Sequence, residues 1–169
     1  MHIRGHGNPT ALATALREGL VASKTPGTAP ATSNQIQSID LDTAMIDKTL
    51  GVKGKVNDGV YQISVPRAEA IKDGGMDVPP PMGSAIAINF QPTGGGKAAI
   101  TGDFVLTAQE VNPVLCTLSE NGIEVTALHN HMLDELPRLF FMHFWAVNDA
   151  SKLAQGLKVA LSKVNIKMD

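Results

Sequence analysis

The chain has 169 residues, 43% of them hydrophobic and 18% charged, with a formal net charge of −2; that is room for one domain with a buried core. The absence of a basic patch or acidic run argues against nucleic acid and anionic membrane as partners. No apolar run reaches the roughly 18 residues a membrane span needs, Met1-His2-Ile3-Arg4-Gly5-His6-Gly7 lacks the apolar stretch of a signal peptide, and the lone Cys116 excludes an internal disulfide or a multi-cysteine metal site.

Asn8-Pro9-Thr10 predict a helix over 8–23. Asn8 caps it, Pro9 suits its first position, and Leu12, Leu16, Leu20 and Val21 share one stripe. Residues 24–37, rich in Thr, Pro, Ser and Gly, read as a linker. Asp42 or Thr43 caps a second helix over 42–50, with the stripe Met45-Ile46-Leu50 and Gly51 as its stop. Val52 to Val56 and Val60 to Val65 are strands flanking the hairpin signal Asn57-Asp58-Gly59, and Pro66 ends the second. Residues 67–83 make a long connection in which Pro79-Pro80-Pro81 is expected in polyproline geometry.

Ser84 to Phe90 and Ala98 to Leu106 are further strands around Gly94-Gly95-Gly96. The glycines with Lys97 lack the spacing of a phosphate loop and sit between strands, so a turn is expected. Thr107 caps a helix over 108–120 closed by Asn121-Gly122. Cys116 falls within its apolar pattern and is expected as a small buried hydrophobe. Ile123 to Asn130 and Leu139 to Val147 are the next strands. Asn148 or Asp149 then caps a last helix over 149–163, with Leu153, Leu157, Ala160 and Leu161 inward.

The second half therefore reads ββα-ββα. The fold class is α+β, a mainly antiparallel sheet with ββα repeats and helices packed on one face. Strand 139–147 is apolar on both parities, as for a central strand covered on both sides or one facing a subunit contact. There is also an internal echo. Met1-His2-Ile3, Asn8-Pro9 and Leu12-Ala13 match Met142-His143-Phe144, Asp149-Ala150 and Leu153-Ala154. Residues 1–37 are accordingly expected as the strand, helix and linker that end a preceding repeat, and residues 38–169 as an α+β domain.

The chemistry concentrates in Leu128-His129-Asn130-His131-Met132, Glu135, Pro137-Arg138 and Phe140 to Trp145. Three of the five histidines, the only Trp and three of the five Phe lie there. These segments, with Val60 to Pro66, Gly102-Asp103-Phe104, Glu110 to Pro113 and Gly122 to Val125, resemble the LppY/LpqO family, a bacterial domain family of unassigned function. The resemblance covers roughly residues 38–163. It implies an exported or lipoprotein context and a second half of a two-repeat arrangement, and it supplies no reaction.

Within the tract, His129 and His131 share a strand face. A hairpin centred near Asp134-Glu135 sets His129 opposite Phe140 or Phe141, and His143 near Ala127. His129, His131 and His143, with Glu135 as an oxygen ligand or base, suit a divalent transition metal: zinc, copper, iron or manganese. An open coordination position would make a metal-dependent hydrolase or an oxygen-using enzyme. The bland readings stand beside these. His143 serves equally as a core histidine, and Glu135 as a solvated loop charge. Arg138 either clamps an anionic small molecule or pairs with Asp134 or Glu135. Asp103 is either a partner orienting a histidine ring or a strand-end carboxylate. Met132 and Met142 are soft copper ligands or core filling. His2 would hold a place related to His143, and His6 offers a further ligand. The competing class is a non-catalytic binding or homo-oligomerisation module with structural histidines and Phe140 to Trp145 at the interface.

Overall fold

The computed structural model describes Ile3, residues 5–23 and residues 38–167. They fall in two compact units, one within Met1–Ile36 and one within Gln37–Asp169. The segment expected as a linker, and His2, lie outside the described residues.

In the first unit, α1 (Pro9–Val21) begins where Asn8 accepts hydrogen bonds from the Thr10 and Ala11 N–H groups at 2.9 and 3.2 Å, satisfying donors that a helix start leaves orphaned. None of its residues is buried.

The second unit opens with α2 (Thr43–Leu50). Asp42 caps it through the Met45 N–H, and Gly51 ends it at φ 79°. There follow β1 (Lys55–Asn57), β2 (Val60–Pro66), a small hairpin of β3 (Lys72–Asp73) and β4 (Met76–Asp77), β5 (Ala85–Gly94), β6 (Lys97–Leu106), α3 (Ala108–Glu120), β7 (Glu124–His129), β8 (Phe140–Asp149) and α4 (Ala150–Leu161). The main sheet runs β1-β2-β5-β6-β8-β7, antiparallel throughout. Asp58 at φ 47° and Gly59 at φ 77° make the turn between β1 and β2, a pairing that matches the twist of a two-residue hairpin.

One face of the sheet carries the core. Ile63, Val65, Ile86, Ile88, Phe90, Ile100, Phe104, Met142 and Phe144 are buried there with Ile46 and Leu50 of α2, Val114 and Leu118 of α3, and Leu153, Leu157 and Leu161 of α4. Phe104 and Phe144 meet at 5.6 Å between tilted rings, a favourable aromatic geometry. The α+β class, the antiparallel sheet and the ββα order agree with the sequence reading.

Two bonding nodes tie the helices to the sheet. Tyr61 donates its hydroxyl to Asp47 of α2 and accepts from the Gly54 N–H at 3.0 Å. Burial first, then the bond to Asp47, pushes its pKa up to about 12. Arg67, just past β2 and 5% exposed, donates to the Val105 carbonyl at 2.6 Å and pairs with Glu69 at 2.9 Å and Glu110 at 2.8 Å. Glu110 also accepts from the N–H groups of Thr107 at 2.7 Å and Asn165 at 2.8 Å. The guanidinium thus joins the end of β2 to the end of β6 and the start of α3, and the carboxylates of Glu110 and Glu69 extend the node to Asn165 in the C-terminal segment.

Three expectations are corrected. Residues 67–83, expected as one long connection, hold the short strands β3 and β4. Pro79 keeps polyproline-like angles, φ −71° and ψ 162°, but Pro80–Met82 forms a 3-10 turn closed by Met82 N–H to Pro79 O at 2.8 Å and Gly83 N–H to Pro80 O at 3.0 Å, so local backbone bonds displace polyproline geometry from Pro80 on. Cys116 is exposed, because α3 buries the stripe Val114, Thr117 and Leu118 instead. The second face of β8 is graded: Phe141 is buried, His143 half-buried and Trp145 46% exposed.

Candidate metal centre

The three histidines converge because two strands and a loop are held in one register. In the β7–β8 hairpin Ala127 opposes His143 and His129 opposes Phe141, the pairing expected from a loop centred near Asp134-Glu135. Directly opposed residues share a sheet face, so His129 and His143 emerge together on the face away from the helices. A register shift between Val125 and Ala127 interrupts the pairing; it is a bulge that keeps Glu124 opposite Trp145. His131 lies just beyond β7 and stacks on the buried Phe141 ring at 3.4 Å between centroids and 6° between planes.

The imidazole of His129 lies 5.0 Å from that of His131 and 4.9 Å from that of His143, centroid to centroid. One candidate ligand nitrogen from each ring lies within 4.8 Å of the other two. All three residues are half-buried, open enough to admit a small ligand and sheltered enough to be held. A tetrahedral zinc shell with bonds of about 2.0–2.1 Å places its donors about 3.3 Å apart. The nitrogens, separated by no more than 4.8 Å, have at most about 1.5 Å to close on that spacing. His129 and His143 are nearly parallel, at 10°, so one ring turns for both lone pairs to face a common point.

The loop carrying His131 is stapled. Glu135 is 1% exposed; its carboxyl accepts from the Leu139 N–H at 2.9 Å and from Arg138 at 3.3 Å. Arg138 also donates to the Leu133 carbonyl at 2.6 Å, and Asn130 to the Leu139 carbonyl at 2.6 Å. A two-way bridge between Lys72 and Leu136, at 2.9 and 2.8 Å, pins the loop to β3. Glu135 therefore is not a solvated charge, and it lies outside the three-residue histidine group. Arg138 pairs with Glu135, one of the two readings offered for it. Asp103 opposes His143 across β6–β8 and is half-buried. Met142 is fully buried on the helix-covered face, opposite the histidines, as core filling. His6 is exposed in the N-terminal unit.

Sequence reasoning missed the stacking floor, Phe141, and the polar row beside the site. Strand alternation carried the signal: Gln62, Asn89, Thr101 and Trp145 interrupt apolar strands with period two, and cross-strand register places them side by side.

No helix among the described residues is long and apolar enough to cross a membrane. A family model described as Domain of Unknown Function (DUF1259) matches residues 44–163. No curated protein matches the chain, and no solved structure does.

Proposed function

The chain belongs to the DUF1259 domain family over residues 44–163, and since that family's description names no activity, we propose from the site geometry that His129, His131 and His143 bind a divalent transition ion. One observation carries the reading: three imidazoles from two paired strands and their loop bring ligand nitrogens within 4.8 Å of one another. Imidazole donors suit zinc, copper and iron better than manganese, which prefers oxygen. With three protein donors a fourth position stays open for water or a substrate oxygen, the arrangement of catalytic rather than structural zinc sites.

The surrounding groups take supporting roles in this reading. Asp103, the register partner of His143, orients that ring through its second nitrogen, as carboxylates do beside metal-bound histidines. Glu135 and Arg138 hold the loop that presents His131. The likeness to the LppY/LpqO family and the echo between α1 and α4, each capped by an Asx side chain, favour a two-repeat relationship within that wider group.

The test is elemental analysis of protein purified without chelator, followed by zinc titration calorimetry of chelator-stripped protein. The expected result is one ion per chain in the native sequence and none in the His129→Ala, His131→Ala double variant. Equal substoichiometric metal in both would refute the site.

A further inference from the structure

The face of the sheet that bears the histidines also carries a row of uncharged polar side chains that metal binding does not use. Lys55, Gln62, Asn89, Thr101, Trp145 and Glu124 lie in direct cross-strand register from one edge of the sheet to the other. Within this row the charged residues are only its two ends, Lys55 on β1 and Glu124 on β7. Between them Gln62, Asn89, Thr101 and Trp145, with Val60, Gln91 and Ala99, line a groove of about 270 Å³, and no charged side chain is among these lining residues.

The amides are set in place before any ligand arrives. Gln62 donates to the Asn89 carbonyl oxygen at 3.2 Å, Asn57 donates to Gln62 at 3.1 Å, and Asn89 donates to the Thr101 main-chain carbonyl at 3.2 Å. A primary amide offers two N–H donors and two acceptor positions. These bonds use one of each on Gln62 and one of each on Asn89. A donor and an acceptor therefore stay available on both side chains. At the end of the row stands the indole of Trp145, 46% exposed.

We propose that this groove binds a neutral carbohydrate, one sugar ring stacking its C–H face on Trp145 while its hydroxyls bond the Gln62 and Asn89 amides. The match is chemical at each point. A hydroxyl donates and accepts, as does each amide. The apolar face of a pyranose meets the flat indole, and the uncharged lining offers no partner to an anion or cation. The row from β2 to β8 spans three inter-strand spacings, roughly 14 Å, longer than one ring, so a short oligosaccharide fits better than a monosaccharide. An added peptide strand is disfavoured, because the groove offers side chains at the middle of a sheet and not an open backbone edge. The inference does not rest on ion binding at the histidines.

Trp145 is the only tryptophan, so its fluorescence reports the groove directly. The experiment titrates the full chain, with and without EDTA, with cellohexaose, N-acetylchitohexaose and maltohexaose, using adenosine as a stacking control. Expected is a saturable emission change with at least one oligosaccharide, persisting in EDTA and absent with adenosine. By calorimetry, Asn89→Ala should weaken that binding about fivefold and Trp145→Ala at least about tenfold, with circular dichroism unchanged. No emission change with any of the three sugars at millimolar concentration overturns the proposal, as does undiminished affinity in Trp145→Ala. So does a dimer on size exclusion that Trp145→Ala dissolves, which assigns the face to a second copy.

Discussion

Glu110 shows how much one side chain holds in this fold. It accepts from Arg67, from Thr107 at the start of α3 and from Asn165, with only 12% of its side chain exposed. Burial, the largest single influence, acts to raise its pKa, but the bonds from Arg67, Thr107 and Asn165 together with the Arg67 charge outweigh it and hold the carboxyl below its ordinary value. Glu69 is lowered too, its burial outweighed by Arg67 and Asn165. A carboxyl whose folded pKa lies below its unfolded value contributes stability that is present above the unfolded value, near 4.3, and is lost as pH falls through the folded value. Urea denaturation across that acid range should therefore show falling stability. Glu110→Gln should lower stability at neutral pH by about 1–3 kcal/mol, the usual cost of weakening bonds to a buried charged partner. It should also flatten the acid limb. An unchanged limb would mean that Glu110 contributes nothing to the pH dependence.

At the scale of elements, the hairpin β7–β8 was the most legible part. Period-two spacing sets His129 beside His143 on one face, and pairing centred near Asp134-Glu135 gives the register within a residue, with Ala127 and Phe141 as the partners; β7 ends at His129, so the loop and not strand alternation places His131. The helices were equally readable, because Asn8, Asp42, Asp149 and Gly51 mark their ends by local chemistry. What escaped were features made by distant segments. The burial of Glu135 depends on a bridge from Lys72, far off in sequence, and β3 and β4 are too short to carry a pattern. Cys116 was misplaced because the apolar stripe of α3 tolerates a phase shift of one or two residues. The loop staple has a measurable consequence. Glu135→Ala leaves the buried Leu139 N–H without its acceptor, a loss of about 1–3 kcal/mol in urea denaturation. It should also weaken zinc binding by about tenfold through loss of His131 placement, although all three imidazoles remain. Unchanged zinc affinity would show that the loop does not position the ring.

Over the whole molecule, the sheet separates stability from chemistry. Helices α2, α3 and α4 seal one face into a core, while the other face presents the histidines, Asp103 and the Trp145 row, graded from the buried Phe141 to solvent. The donors of the proposed ion site come together only when β7, β8 and the stapled loop are assembled, so the ion should stabilise the folded state by linkage. Free zinc at 100 times its Kd should add about 2.7 kcal/mol, a rise in Tm of roughly 5–10 °C for a unit of this size. The unfolded chain keeps His129 and His131 two residues apart and can chelate weakly, which trims this gain. Acidification should erase the shift, because imidazole donates to a metal only when deprotonated. Scanning calorimetry with and without zinc at neutral and acidic pH separates the outcomes. A shift that survives acidification, or that persists in the His129→Ala, His131→Ala variant, would place the ion elsewhere on the protein.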